Sequence, residues 1–229
     1  MSPPETGFGT PLFLLNLKAY PACLGPGAER MSRLLEEVGH AAGAAVAVAP
    51  AAPDLARVAH LVQIPVLAQH VDPIEPGAHT GFIPPEALRA AGARGSLVNH
   101  SEHPLSNRDA ETTVTLLASL SLVSVVCARD VATARYLAHT KPDLLAIEPP
   151  ELIGGDRAVS TAKPEVVSGT VLAVREVAPD TGVLCGAGVH DRRDVARAIE
   201  LGTEGVLVAS AVTRAPDPKK VLQDLLSGF

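Results

Sequence analysis

Leu144-Leu145-Ala146-Ile147-Glu148-Pro149-Pro150-Glu151-Leu152-Ile153-Gly154-Gly155-Asp156 is the stretch that decides the fold. Its first four residues are apolar without alternation, the pattern of a strand buried on both faces, as in a parallel sheet covered by helices. The run stops on a carboxylate, two prolines fix the direction of exit, and a short apolar segment leads into a glycine pair. A carboxylate at the end of a buried strand is costly unless it is solvated, paired or used in chemistry. Glu148 therefore reads either as a solvated strand-end charge or as a base beside a hinged lid over 149–156.

The same unit, a short apolar run, a turn and an amphipathic stretch, recurs along the chain. Strands are expected at 12–17, 45–49, 66–69, 95–98, 122–128, 143–147, 183–185 and 205–209. Helices are expected at 28–42, 54–62, 85–91, 109–119, 130–139, 164–177, 192–201 and 218–226, several opening on proline or an acidic first turn. This repeat over 229 residues points to one domain, 1–229, folded as a (β/α)8 barrel. The alternative is an open doubly wound sheet, but Asn16-Leu17-Lys18-Ala19-Tyr20 stands where its glycine-rich first turn would be.

Composition narrows the partners. The formal charge is −6 and the basic residues are scattered, so nothing forms the cationic stripe that nucleic acid or an anionic membrane requires. A small-molecule partner is expected instead. Cys23, Cys127 and Cys185 are odd in number and far apart, which fits reduced thiols, and no paired Cys/His spacing suggests zinc. Residues 1–10 lack the features of a signal peptide and no apolar run reaches the ~18 residues of a membrane span, so a cytoplasmic location is expected.

In such barrels the loops after the strands build the active site. Strand one delivers Asn16 and Lys18, strand three Gln69 and His70, strand four Asn99, His100, Ser101 and Glu102, and strand six Glu148. Lys18 alone would be a surface charge; across a barrel mouth from His100 and Glu148 it can bind an anion and stabilise charge on an oxygen. Asn16 shares its side of the strand and can orient Lys18 or a substrate, unless it only caps the strand end. A neutral His100 can donate to a carbonyl or enediolate oxygen, whereas His40, His60, His139 and His190 read as structural or solvated. Glu102 pairs with Lys18 or serves a helix cap. Strands seven and eight end in Gly186-Ala187-Gly188 and Ala209-Ser210-Ala211, small residues that let backbone N–H groups approach a phosphate or that simply make tight turns. Gly154 would complete that pocket if the lid closes. The longest irregular piece, 71–84, is rich in Pro and Gly and is a candidate interface.

Taken in order, Asn16-Leu17-Lys18, Ala68-Gln69-His70-Val71-Asp72-Pro73 with Gly77-Ala78-His79-Thr80-Gly81, Asn99-His100-Ser101-Glu102, Glu148 through Gly154, Cys185-Gly186-Ala187-Gly188 and Gly205 through Ser210 resemble the triosephosphate isomerase family, in its shorter archaeal branch. The resemblance covers nearly the whole chain. It implies interconversion of dihydroxyacetone phosphate and glyceraldehyde 3-phosphate through an enediolate, with a place in glycolysis and gluconeogenesis. Glu148 would be the base, His100 the electrophile, Lys18 and Asn16 substrate-binding, and Ile153, Gly154, Gly188, Ala209 and Ser210 phosphate-side contacts. No metal or organic cofactor is implied. A homotetramer, a dimer of dimers, is implied, with contacts expected at 71–84 and the helix after it. Two departures stand out: Gly155-Asp156 where relatives commonly have Thr-Gly, and His103-Pro104 where a polar or basic residue is usual. Other phosphate-binding barrels, such as a ribulose-phosphate epimerase or a phosphoribosyl isomerase, rely on metal ligands or paired acids that this chain does not place. A non-catalytic phosphate sensor on the same barrel would bind without turnover.

Overall fold

A computed structural model describes residues 8–153 and 158–229. Eight parallel strands pair in the order β2-β1-β8-β7-β6-β5-β4-β3. They are β1 Leu12–Asn16, β2 Ala45–Ala49, β3 Leu67–Ala68, β4 Gly95–Val98, β5 Val123–Ala128, β6 Leu144–Ile147, β7 Gly182–Cys185 and β8 Gly205–Val208. A parallel bridge between Val48 and Val66, with Val48 N–H donating to Pro65 O at 3.0 Å, brings the two edges together and closes the barrel. An open doubly wound sheet would leave those edges apart.

The helices of the outer ring are α1 Pro26–Ala42, α2 Leu55–Leu61, α3 Pro85–Ala90, α4 Asn107–Ser119, α5 Val131–Ala138, α6 Val159–Ala162, α7 Pro164–Val177, α8 Arg192–Glu200, α9 Ser210–Thr213 and α10 Pro218–Leu226. Local chemistry sets their starts. Ser106 accepts from Asp109 N–H ahead of α4, Asp130 from Thr133 N–H ahead of α5, and Asp191 from Arg193 and Asp194 N–H ahead of α8. Each such cap contributes about 1 kcal/mol. Helix α4 thus begins two residues before the expected 109, because Ser106 is its cap. Two helices were not expected at all: α6 and α9 are four residues long, too short to show a helical period. Strand β6 starts at 144 instead of 143 because the Asp143 carboxylate is taken up by the N–H and hydroxyl of Ser124, at 2.8 and 2.9 Å. Strand β3 is shorter than the expected 66–69; its flanking Val66 forms the closing bridge and accepts from Arg94 N–H at 2.8 Å.

The period-two alternation of the strands splits the core into two layers. Leu12, Leu14, Ala47, Leu67, Leu97, Val125, Leu144, Ala146, Leu184 and Leu207 fill the barrel interior. Phe13, Leu15, Val46, Val48, Val98, Val126, Val206 and Val208 point outward against the helices with Leu35, Leu117 and Leu222. Following the inward set to the strand ends places Asn16 after Leu14, Glu148 after Ala146, Gly186 after Leu184 and Ala209 after Leu207. The barrel's own periodicity therefore aims these positions into its mouth. Among the described residues no helix is long and apolar enough to cross a membrane.

Candidate active site

One cavity at the C-terminal ends of the strands is lined by Asn16, Lys18, His100, Glu148, Ile153, Gly186, Gly188, Ala209 and Ser210, together with Val189, His190 and neighbouring residues of β8 and α9. Eight of these positions are site residues expected from five separate segments of sequence, and the fold brings all eight together; Gly154 lies outside the described residues.

Glu148 is 3% exposed, yet its Oε2 has no hydrogen-bond partner. Its Oε1 stands 3.6 Å from His100 Nε2. Burial pushes the Glu148 carboxyl above the ordinary carboxylate range, against the opposing pull of His100, the Cys127 thiol and Lys18. A carboxylate in this position is desolvated and under-bonded, which makes it a stronger base than a solvated one. The solvated-charge reading of Glu148 is excluded by its burial.

His100 is held in one tautomer by the backbone. Its Nδ1 accepts from Glu102 N–H at 3.2 Å, so Nδ1 carries a lone pair and the ring hydrogen sits on Nε2, facing Glu148 and the cavity. Lys18 Nζ donates to Glu102 Oε1 at 2.7 Å; the Lys18 side chain is 12% exposed and that of Glu102 56%, so the lysine is anchored by a carboxylate that reaches in from solvent. The backbone of Lys18 is left-handed, φ 50°, a conformation costing an ordinary residue on the order of 1 kcal/mol. It is held there by Lys18 N–H donating to Asn16 Oδ1 at 2.9 Å and by Gln69 Nε2 donating to both Lys18 O and Ala49 O, at 3.1 and 2.9 Å. Asn16 thus acts on Lys18 as well as facing the cavity.

The opposite wall is backbone. Gly188 has φ 69°, where a side chain is strained, and α9 opens at Ser210 directly after β8. The first N–H groups of a helix have no partner within it, so Ser210 and Ala211, with Gly188 beside them bearing no side chain, line a surface suited to anionic oxygens. Ile153 closes the cavity from the β6 side. Glu151, in the turn of 3-10 helix Pro150–Leu152, pairs with Lys163 just after α6. Among the described residues no cluster of His, Cys, Asp and Glu is arranged to hold a metal ion.

Three residues have roles at the site that the sequence does not reveal. A Cβ on Gly186 would lie 2.4 Å from Glu148 Cγ, so this glycine lets the base fold back against β7; in sequence it reads only as part of a phosphate turn. Cys127 lies beside Glu148, and burial reinforced by that carboxylate drives its thiol well up. Asn99 joins two strand ends, with Nδ2 donating to Cys127 O at 3.0 Å. The unusual His103 also finds a place: its ring stacks on His70 with centroids 3.7 Å apart, and His70 Nε2 lies 3.3 Å from Asp72.

Comparison with known proteins gives the same direction. A family-wide sequence profile described as triosephosphate isomerase matches residues 11–225. A protein of Methanothermus fervidus named triosephosphate isomerase is 47% identical over 95% of this chain and 98% of its own length. Counterparts of that name from Methanoculleus marisnigri and Caldivirga maquilingensis are 48% and 46% identical, over 95% and 94% of this chain and 98% and 96% of theirs.

Proposed function

The chain belongs to the triosephosphate isomerase family, and from that premise we propose how its own residues carry out the interconversion of dihydroxyacetone phosphate and D-glyceraldehyde 3-phosphate. Glu148 removes the proton from the carbon next to the substrate carbonyl and returns it to the neighbouring carbon. The electron pair left behind moves onto the carbonyl oxygen, giving an enediolate. His100 Nε2–H and Lys18 Nζ stabilise the oxygens of that intermediate, and a preorganised donor in a water-poor cleft is worth far more than the same donor in solvent. Asn16 keeps Lys18 in place. Gly188, Ala209 and Ser210, with Ile153 and Gly154 from the β6 side, hold the phosphate away from the reacting carbons. The pairing of a carboxylate base with a neutral histidine is the established pattern of this family, so the division of roles is inherited from it and is not new to this chain.

The observation that carries this reading is the pair at the centre: a buried carboxylate with an unpartnered oxygen, 3.6 Å from an imidazole whose hydrogen is fixed on the facing nitrogen. A sensor that only bound phosphate would gain nothing from the cost of burying that charge. In a coupled assay of dihydroxyacetone phosphate turnover, Glu148→Gln is expected to lower kcat by roughly 10²–10⁴-fold with KM little changed. Near-normal turnover by the variant would remove Glu148 as the base; no turnover by folded wild type that still binds inorganic phosphate would favour the sensor.

The reading extends to assembly and place. Loop 71–84 is pinned at its base by Asp72, which accepts from Ile83 N–H at 2.7 Å and donates its own N–H to Ile83 O at 2.9 Å, while Phe82, next to that base, is 55% exposed. That exposed aromatic on an ordered loop supports contact between copies of this chain, with α3 beside it; the homotetramer and the cytoplasmic location are proposed from the family resemblance. Light scattering at monomer mass across the micromolar range would contradict the assembly without touching the chemistry.

A further inference from the structure

The alternation that delivers Asn16, Glu148 and Gly186 to the cavity ought to turn His100 away from it. Leu97 points into the barrel and Val98 outward, so residue 99 is due inward and residue 100 outward. His100 nevertheless lines the cavity. The reversal comes at Asn99, whose backbone is left-handed with φ 59°. Asparagine tolerates that region better than most residues, and here its side chain also fastens it. Nδ2 donates to Cys127 O at 3.0 Å and Oδ1 accepts from Leu105 N–H at 2.9 Å. Because one partner is a carbonyl and the other an N–H, the orientation of the amide follows from the bonds themselves.

The two bonds do different things. The first ties the end of β4 to the end of β5, at the residue whose side chain lies against the base. The second closes the turn that carries His100 and Glu102, around the inner bonds from His103 N–H to His100 O and from Glu102 N–H to His100 Nδ1, at 2.8 and 3.2 Å. Glu148 is referenced to the same strand end, since its N–H donates to Ala128 O at 2.8 Å. Base and electrophile are thus both registered on the last two residues of β5. We propose that Asn99 is a positioning residue, which turns His100 into the cavity and fixes its separation from Glu148; this rests on the reading of those two residues as electrophile and base. Aspartate would lose the donor, glutamine would overreach, alanine would lose both bonds in a strained backbone, and glycine would keep the backbone while orphaning both partners.

The test uses the full-length enzyme with Asn99→Gly, Asn99→Asp, His100→Gln and the double variant Asn99→Gly/His100→Gln. If Asn99 acts through His100, Asn99→Gly lowers kcat roughly tenfold or more, as expected for a displaced catalytic group, with KM within about threefold. Asn99→Asp, which keeps the acceptor for Leu105, shows the same kcat-specific loss. In the His100→Gln background Asn99→Gly adds little, because the group it positions is gone. The 15N NMR spectrum of the His100 ring, a single Nε2–H tautomer in wild type, becomes a mixture in Asn99→Gly. Wild-type kcat in Asn99→Gly, a loss that multiplies in full with His100→Gln, or a loss explained entirely by a smaller folded fraction would each overturn the proposal. Failure of the underlying reading looks different: Glu148→Gln would then turn over normally whatever Asn99 does.

Discussion

The strands of the barrel and the turns that leave their C-terminal ends obey opposite rules. In the barrel interior Leu12, Leu14, Leu67, Leu97, Leu144 and Leu184 are at most 2% exposed and carry no polar atom beyond the backbone. Just past the C-terminal ends of these strands, the mouth holds a buried carboxylate with an unpaired oxygen and left-handed backbone at Lys18 and Asn99. The interior contributes the stability that the mouth gives up, the pattern expected where function is grafted on a packed scaffold. Substitutions in the two regions should separate cleanly into losses of folding and losses of turnover.

After removal of the base itself, the largest effect is expected from a single methyl group at the mouth. Gly186→Ala would force Glu148 away from β7, since the new Cβ would lie 2.4 Å from its Cγ and 3.1 Å from Oε1. A displacement of this order predicts a fall in kcat of about 10²-fold with the chain still folded, read by steady-state kinetics beside a thermal melt. Unchanged kcat would show that the base has room to move.

Next comes the converse, in the interior. Leu14→Ala leaves a cavity between β1 and its neighbours and should cost about 2–5 kcal/mol in denaturant unfolding, while kcat of the folded enzyme stays within about twofold. A tenfold loss of kcat without loss of stability would break the division between the two regions. The smallest effect is expected at the rim outside the cavity. His70 is pulled down chiefly by burial, and also by the positive charge His103 would carry, while Asp72 works the other way. His103→Ala should therefore raise the His70 pKa in an NMR titration while turnover at pH 8 stays within about twofold. A lowered His70 pKa would mean the stack is favourable to the charged ring.

Much of the molecule is legible in its sequence. Continuous apolar runs such as Leu144–Ile147 point to the parallel barrel, and the polar residues stationed just past them are Asn16, Lys18, His100 and Glu148. What stays hidden is long-range. The role of Gly186 depends on the side chain of another strand, and that of Asn99 on a carbonyl of β5 and an N–H across a turn. Strict alternation would even exclude His100, and only the left-handed residue before it restores the site. Helices α6 and α9 leave no trace in the pattern because four residues cannot show a period of 3.6.

Glu148 joins the two regions, because the burial that equips it as a base also weakens the fold. Its carboxyl is raised above the ordinary range by burial, so the folded protein binds that proton more tightly than the unfolded chain. Stability therefore falls as pH rises from the ordinary carboxylate pKa through the folded one, and the loss persists at higher pH. The decisive measurement is the unfolding free energy of wild type and Glu148→Gln at pH 8 and pH 5, alongside their turnover. The variant is expected to be nearly inactive yet more stable than wild type at pH 8, with the advantage shrinking at pH 5. A variant that is less stable at pH 8, or that retains turnover, would contradict this picture of the base.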